Sequence, residues 1–303
     1  MTDSPDPARS PLTATVSTVQ GWPEMAEAVM TVIASVRAAG GDVIVTDGSG
    51  RPPPPADVIG PGVAWLSHPG ESVFQLRERA YGLAAGALVA ITEDHVEVPE
   101  GWARQLIEAH ERHPEASAIG GSVVNGATGS LIDWASFLVV QAPVAAPIRS
   151  GRAGRMAGAV NVAYKRSALA HRPSFGDMGA MDGLHQKALS AAGAILLNDD
   201  AIRVSHDQAL GVRGFTAIHY NAGRTISGFK RRHLGPIDLL RIIGSPFVPL
   251  ARYLRTVVLL APRGYGSILL RATPWILWLL YAQGLGQLVG YLAGPGDSPN
   301  RVQ

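Results

Sequence analysis

The first two hundred positions alternate between short apolar runs and stretches in which apolar residues recur every three or four positions. Thr13 to Val19 is rich in β-branched residues and predicts a strand. Pro23 and Glu24 open a helical segment whose Met25, Val29, Val32, Ile33 and Val36 share one face before Gly40 and Gly41. Asp42 to Thr46 is a second strand, and a strand, helix and strand in so short a span form a βαβ unit, which implies a parallel sheet with its loops at the strands' carboxyl ends. After the proline run Arg51 to Pro55, a surface loop, Val63 to Leu66 reads as a strand and Gly70 to Gly86 as a helix. The apolar run from Ala87 stops at Glu93, Asp94 and His95. Beyond it come a helix with Trp102, Leu106, Ile107 and His110 on one face, then a strand over Ala116 to Val124. Residues 141 to 158 have the composition of a long loop, expected to act as a mobile lid. A strand over Ala159 to Tyr164, a helix over Asp182 to Ala192, and two short strands, Ala194 to Leu197 and Ala201 to Ser205, lead to His206.

After Gly211 the pattern changes. Leu239 to Leu260 is apolar, broken by Pro246 and Pro249 and studded with arginines, as an interfacial amphipathic segment would be. Ala272 to Gly296 carries no charged residue and has Trp275, Trp278, Tyr281 and Tyr291, which suit a bilayer interface, either spanning or lying in it, with a buried core or oligomer helix as the third reading. The predicted organisation is a polar, disordered leader over 1–12, an α/β nucleotide-binding catalytic domain over 13–210, and a basic, apolar helical region over 211–303 that associates with a membrane.

Composition supports that division. Hydrophobic residues make up 47% of the 303-residue chain and charged ones 17%, an excess that the carboxyl-terminal third accounts for. Between Arg203 and Arg271 eleven Lys and Arg stand against two acids, Asp207 and Asp238, so this third is basic although the chain's net charge is only +2. That balance favours an anionic membrane surface and gives no argument for nucleic acid. The absence of cysteine excludes thiolate chemistry and disulfides. With no apolar segment behind a basic start at the amino terminus, the expected location is the cytoplasmic face of a membrane.

The chemistry concentrates at Glu93, Asp94 and His95. Three consecutive polar side chains at a strand's carboxyl end make a place for a cation and its ligand. Four landmarks, in order, resemble the family 2 glycosyltransferases of GT-A fold over roughly residues 13 to 235. IVTDGSG (Ile44 to Gly50) resembles the family's second-strand signature, with Asp47 at the position of the acid that contacts the nucleotide. RERAYGLAAGALVAITEDH looks like its stretch from an arginine, Arg77, through a glycine, Gly86, to the acidic metal motif, with His95 where aspartate is usual. GAVNVAYKRSAL and FGDMGAMDGLHQKALSAAG resemble the acceptor-side strand and the motif holding the catalytic base. Asp182 matches that base and Met181 replaces the usual glutamate; Asp177 is the nearest other carboxylate. AIRVSHDQ places His206 where some relatives complete the metal shell, and HYNAGRTISGFKRR resembles the segment whose arginine, here Arg224, reaches the diphosphate.

The resemblance implies a GT-A sheet flanked by helices, with Val19, Asp47, Arg77, Glu93, Asp94 and Arg224 on the donor side and Asp94, His95 and His206 at a divalent metal. It implies Asp182 as the base, Mn2+ or Mg2+ as cofactor, and inverting transfer from a nucleotide-diphosphate sugar to a lipid-linked or polysaccharide acceptor. Imidazole suits Mn2+ better than Mg2+. Two other readings remain: a catalytically weakened sugar-nucleotide-binding scaffold subunit, and a nucleotidyltransferase, against which stands the lack of a glycine-rich basic loop after the first strand.

Overall fold

The computed structural model describes residues 10–170, 172, 179–231, 235, 236, 242, 244 and 246–302. The leader residues 1–9 and Asp177 lie outside them. The elements run β1 (Leu12–Thr18), α1 (Ala26–Ala38), β2 (Asp42–Asp47), α2 (Ala56–Ile59), β3 (Val63–Ser67), α3 (Val73–Leu83), β4 (Leu88–Glu93), β5 (Val96–Glu97), α4 (Trp102–Arg112), β6 (Ala116–Asn125), α5 (Leu131–Val140), β7 (Gly151–Arg152), β8 (Val162–Lys165), α6 (Arg166–Ala170), α7 (Asp182–Ala191), β9 (Ile195–His206), α8 (Gly211–Lys230), α9 (Val248–Leu260) and α10 (Gly266–Ala293). The chain forms two compact units: one runs to Val124 and resumes over Ala146–Asp207, and the other comprises Asn125–Ala145 and the chain from Gln208. The sequence boundary at 210/211 lies close to this break, and the structure adds α5 to the second unit.

The first unit is a mixed sheet in the order β3-β2-β1-β4-β8-β6-β9-β5, with β7 on β9, flanked by helices. β3, β2, β1 and β4 are parallel, while β8 runs antiparallel to β4 and β6. From β1 the chain steps outward to β2 and β3, then returns to place β4 on the other side of β1. Such a reversal opens a crevice at the strands' carboxyl ends. Register aligns that edge: Ser17 lies beside Glu93 and Thr18 beside Asp47. The core beneath contains Val89, Ile91, Val162, Tyr164 and Leu169. A buried Asn161 is fully used within it, donating to the carbonyls of Ser122 and Ile202 and accepting from the Trp102 indole.

Two expectations change. The two short strands expected before His206 are one twelve-residue strand, β9. The Asn198-Asp199-Asp200 run does not break it because its side chains are taken up locally: Asn198 donates to the Arg155 carbonyl, Asp199 accepts from the Ala201 amide, and Asp200 accepts from the Ile148 amide and from Arg203. Those same bonds, with β7 pairing on β9, tie down residues 148 to 155 of the segment expected to be a mobile lid.

In the second unit α8 packs along α10 at backbone contact. A Cβ on Gly223 would lie 2.2 Å from the Gln283 carbonyl oxygen, and one on Gly286 would lie 2.0 Å from that of Tyr220. Small residues let helices approach this closely, a packing mode common in apolar surroundings. Buried His219 is hydrogen-bonded to Ser136 of α5. Among the described residues α10 is the helix long and apolar enough to cross a membrane, and a third of its most apolar window is buried within the protein.

Candidate active site and metal centre

Three elements deliver the site. β4 ends at Glu93, followed by a tight turn through Asp94 and His95 into β5. β5 pairs with the end of β9, Val96 opposite His206, and the Asp207 amide donates to the His95 carbonyl. A histidine more than a hundred residues away is thereby brought to the turn. α3 starts at a capping box, in which Ser72 and Gln75 exchange side-chain and backbone bonds, so it begins at Val73 rather than Gly70.

Glu93, His95 and His206 form the cluster. Their ligand atoms all lie within 4.8 Å of one another. The two imidazole Nε2 atoms are 3.1 Å apart, and Glu93 Oε2 lies 3.4 Å from that of His95 and 3.9 Å from that of His206. The turn brings residues 93 and 95 together with His206, while Asp94 lies on the far side of the His95 ring. Its Oδ1 accepts from His95 Nδ1 at 2.8 Å and its Oδ2 accepts from the Thr18 hydroxyl at 2.6 Å. The sequence reading put Asp94 both at the metal and on the donor side, and Glu93 on the donor side; the structure groups Glu93 with His95 and His206 and places Asp94 against His95 Nδ1. The carboxylate fixes the His95 tautomer with its proton on Nδ1, leaving Nε2 to ligate.

These residues fit a divalent cation. Two Nε2 atoms at 3.1 Å attract only if a proton or a metal sits between them. Burial pulls His95 down, but the Asp94 hydrogen bond and the charges of Glu93 and Asp94 outweigh it and hold the imidazole above its ordinary value. Burial, then the charge of His95, drive His206 well below its own. A cation held by Glu93, His95 and His206 would sit where the two Nε2 atoms now approach each other. Two imidazoles and a carboxylate favour Mn2+ over Mg2+.

Arg77 links this cluster to Asp182. The guanidinium donates to Glu93 Oε1 at 2.8 Å and lies 3.8 Å from Asp182 Oδ2. Tyr81, one turn further along α3, donates its hydroxyl to Asp182 Oδ1 at 2.8 Å. Asp182 is the first residue of α7, whose N-cap position is Met181, so the aspartate is not the cap. Its placement depends on Gly179, with φ +77° and a hypothetical Cβ only 2.1 Å from the Phe74 carbonyl oxygen, a contact that leaves no room for a side chain. The Ala180 amide donates to that same carbonyl, pinning the approach to α7 against the start of α3. Asp182 is buried, and its Oδ2 accepts no hydrogen bond among the described residues. Burial raises its carboxyl above the usual range, with Arg77 and the Tyr81 hydroxyl offsetting part of the rise. Burial and the neighbouring Asp182 charge push the Tyr81 hydroxyl far up, so it stays a donor.

The remaining candidates divide. Asp47 is fully buried at the end of β2, accepting from the Ser49 amide and the Trp65 indole. Val19 directly follows β1 at the edge of the crevice. Arg224 belongs to the second unit, where it donates to the Gly294 carbonyl. Sequence reasoning missed Tyr81 and Thr18. The signal for Tyr81 was available, since positions 77 and 81 share a helix face.

No family model matches the sequence, and no curated protein matches it. Among solved structures, the chain is similar to a mannosyltransferase from Pyrobaculum calidifontis in complex with GDP-Man and Mn2+, at 18% identity and a TM-score of 0.52, covering 96% of this chain and 89% of that one. It is also similar to GalNAc-T7 with UDP, GalNAc and Mn2+, at 15% identity and a TM-score of 0.49, covering 68% of this chain and 45% of that one. The mixed sheet with its helical carboxyl-terminal part is thus a GT-A-like fold.

Proposed function

We propose that this chain is a family 2-type, metal-assisted glycosyltransferase that moves a sugar with inversion from a nucleotide-diphosphate sugar to a lipid-linked or polysaccharide acceptor at the cytoplasmic face of a membrane. One observation carries the reading: at the sheet's reversal point, Arg77 joins a Glu-His-His cluster to a buried carboxylate with an oxygen that accepts no hydrogen bond among the described residues. The similar mannosyltransferase, which binds GDP-Man and Mn2+, lends the donor class.

Each side chain has a task in this chemistry. Glu93, His95 and His206 would hold the cation, which when bound neutralises diphosphate charge as a Lewis acid. Asp94 keeps His95 oriented, and Thr18 keeps Asp94 oriented. Asp182 Oδ2 accepts the proton of the acceptor hydroxyl as that oxygen attacks the anomeric carbon from the side opposite the leaving diphosphate, which gives inversion. A raised carboxyl makes Asp182 a stronger base than a surface aspartate, while Tyr81 fixes the oxygen that does not react. Arg77 supplies positive charge between the two carboxylates, limiting their mutual repulsion. The unpartnered oxygen of a carboxyl raised by burial favours catalysis over the scaffold alternative.

A panel of UDP- and GDP-sugars tests this by thermal shift with and without Mn2+, followed by slow donor hydrolysis. Mn2+-dependent stabilisation by at least one donor is expected. If no donor is bound or turned over, the proposal fails.

A further inference from the structure

The second unit carries a feature the transfer chemistry does not use. At the N-cap of α9 and along it, Phe247, Leu250, Leu254 and Val258 recur at helical spacing and are exposed, Phe247 by 73% and Val258 by 75%, while Pro249, Thr256 and Leu260 are buried. α10 likewise leaves apolar residues exposed. Leu270 (77% exposed), Trp278 and Leu285 line its outer stripe, while Ala272, Ile276, Leu279 and Gly286 face inward. Contiguous exposed apolar surface of this kind marks an interaction site.

We infer that the outer faces of α9 and α10 dock on an anionic phospholipid bilayer and lie in its interface, with α10 not crossing it. This deepens the membrane part of the proposed function. Charge selects the partner. From Val248 to Gly296 every charged residue is an arginine, at 252, 255, 263 and 271, and Arg255 and Arg271 are exposed beside the apolar stripes. Pairing with a second copy through this face would set Arg255 and Arg271 against the same arginines of the copy, whereas an anionic leaflet attracts both. Packing selects the mode. The inner face of α10 is held at backbone distance on α8, with Gly286 against the Tyr220 carbonyl and Gly290 against that of Arg224. α8 carries Arg213, His219, Asn221, Arg224 and Lys230, so inserting α10 would either strip it from α8 or drag those polar groups into hydrocarbon. Only one stripe of α10 is left for lipid, as in a helix lying at an interface.

The test is flotation of the full-length protein with vesicles of phosphatidylcholine alone or mixed with phosphatidylglycerol, without nucleotide sugar. Binding is expected on the mixed vesicles, weakened by salt and extracted by carbonate. The variant Leu254→Glu/Val258→Glu should abolish it, with circular dichroism confirming the fold. Arg255→Gln/Arg271→Gln should weaken binding to the mixed vesicles roughly tenfold or more. Four results would overturn the inference: no binding to either vesicle, binding indifferent to both variants, carbonate-resistant association, or self-association in the absence of lipid that the Glu variant dissolves. Lipid binding and donor binding are separate readouts, so failure of one leaves the other standing.

Discussion

The carboxyl edge of the sheet buries Arg77, Asp94, Asp182 and His206, while the outer faces of α9 and α10 leave Phe247, Val258 and Leu270 exposed. Each region departs from the usual partition of polar outside and apolar inside, in opposite senses. Buried charge is tolerated at the first because nearly every atom has a partner, and the unpartnered one, Asp182 Oδ2, faces the cluster's arginine. Exposed apolar surface is tolerated at the second if a bilayer covers it. Both departures cost stability in water, so each points to a ligand: a small charged one for the first unit, an extended lipid one for the second.

Substitutions that separate the two regions should differ widely in effect. Asp182→Asn comes first: transfer should fall by about 10^2 to 10^4 with Mn2+-dependent donor binding kept. The wild-type folded carboxyl titrates above its unfolded value, so the stability it lends is full below the unfolded value and lost as pH rises through the folded one. At neutral pH the variant should therefore melt no lower than the wild type. The same shift should place the acid limb of the wild-type rate profile above the ordinary carboxylate range; a limb at an unperturbed value would remove Asp182 as the base. Asp94→Asn should follow, weakening Mn2+ affinity by about 10- to 100-fold, read by calorimetry, although the residue leaves the ligand set intact.

Gly286→Ala strikes the other region. A methyl group forced against the Tyr220 carbonyl should destabilise by about 1–3 kcal/mol in a melt, with donor affinity unchanged in the surviving folded protein. The smallest effect belongs to Leu254→Glu/Val258→Glu, which should change stability in lipid-free buffer by no more than about 0.5 kcal/mol per site. A large loss there would mean that the face packs against protein.

Much of the first region could be read in the sequence, because β1, β2 and β4 are apolar runs that end at abrupt polar signals. What failed was register. Glu93, Asp94 and His95 read as one acidic triplet, yet the tight turn puts Asp94 behind the His95 ring, on Nδ1, while Glu93 and His95 Nε2 meet His206. β9 was divided because Asn198, Asp199 and Asp200 look like a loop until their local acceptors and donors are known. α5 gave little to read, since Leu131–Val140 is apolar with almost no break and so shows no stripe. In the second region composition led to the expectation of a membrane, and the proposal of a helix that lies rests on backbone contacts of Gly286 and Gly290 with α8 that the sequence does not show.

The central claim is that His206, supplied by the end of β9, completes a metal centre that recruits the nucleotide sugar. Calorimetric titration of a UDP- or GDP-sugar into wild-type and His206→Ala protein, each with saturating Mn2+, tests it most directly. Saturable, Mn2+-dependent binding to the wild type and its loss in the variant while the fold persists are the expected result. Equal binding to both proteins, or binding indifferent to Mn2+, would contradict it.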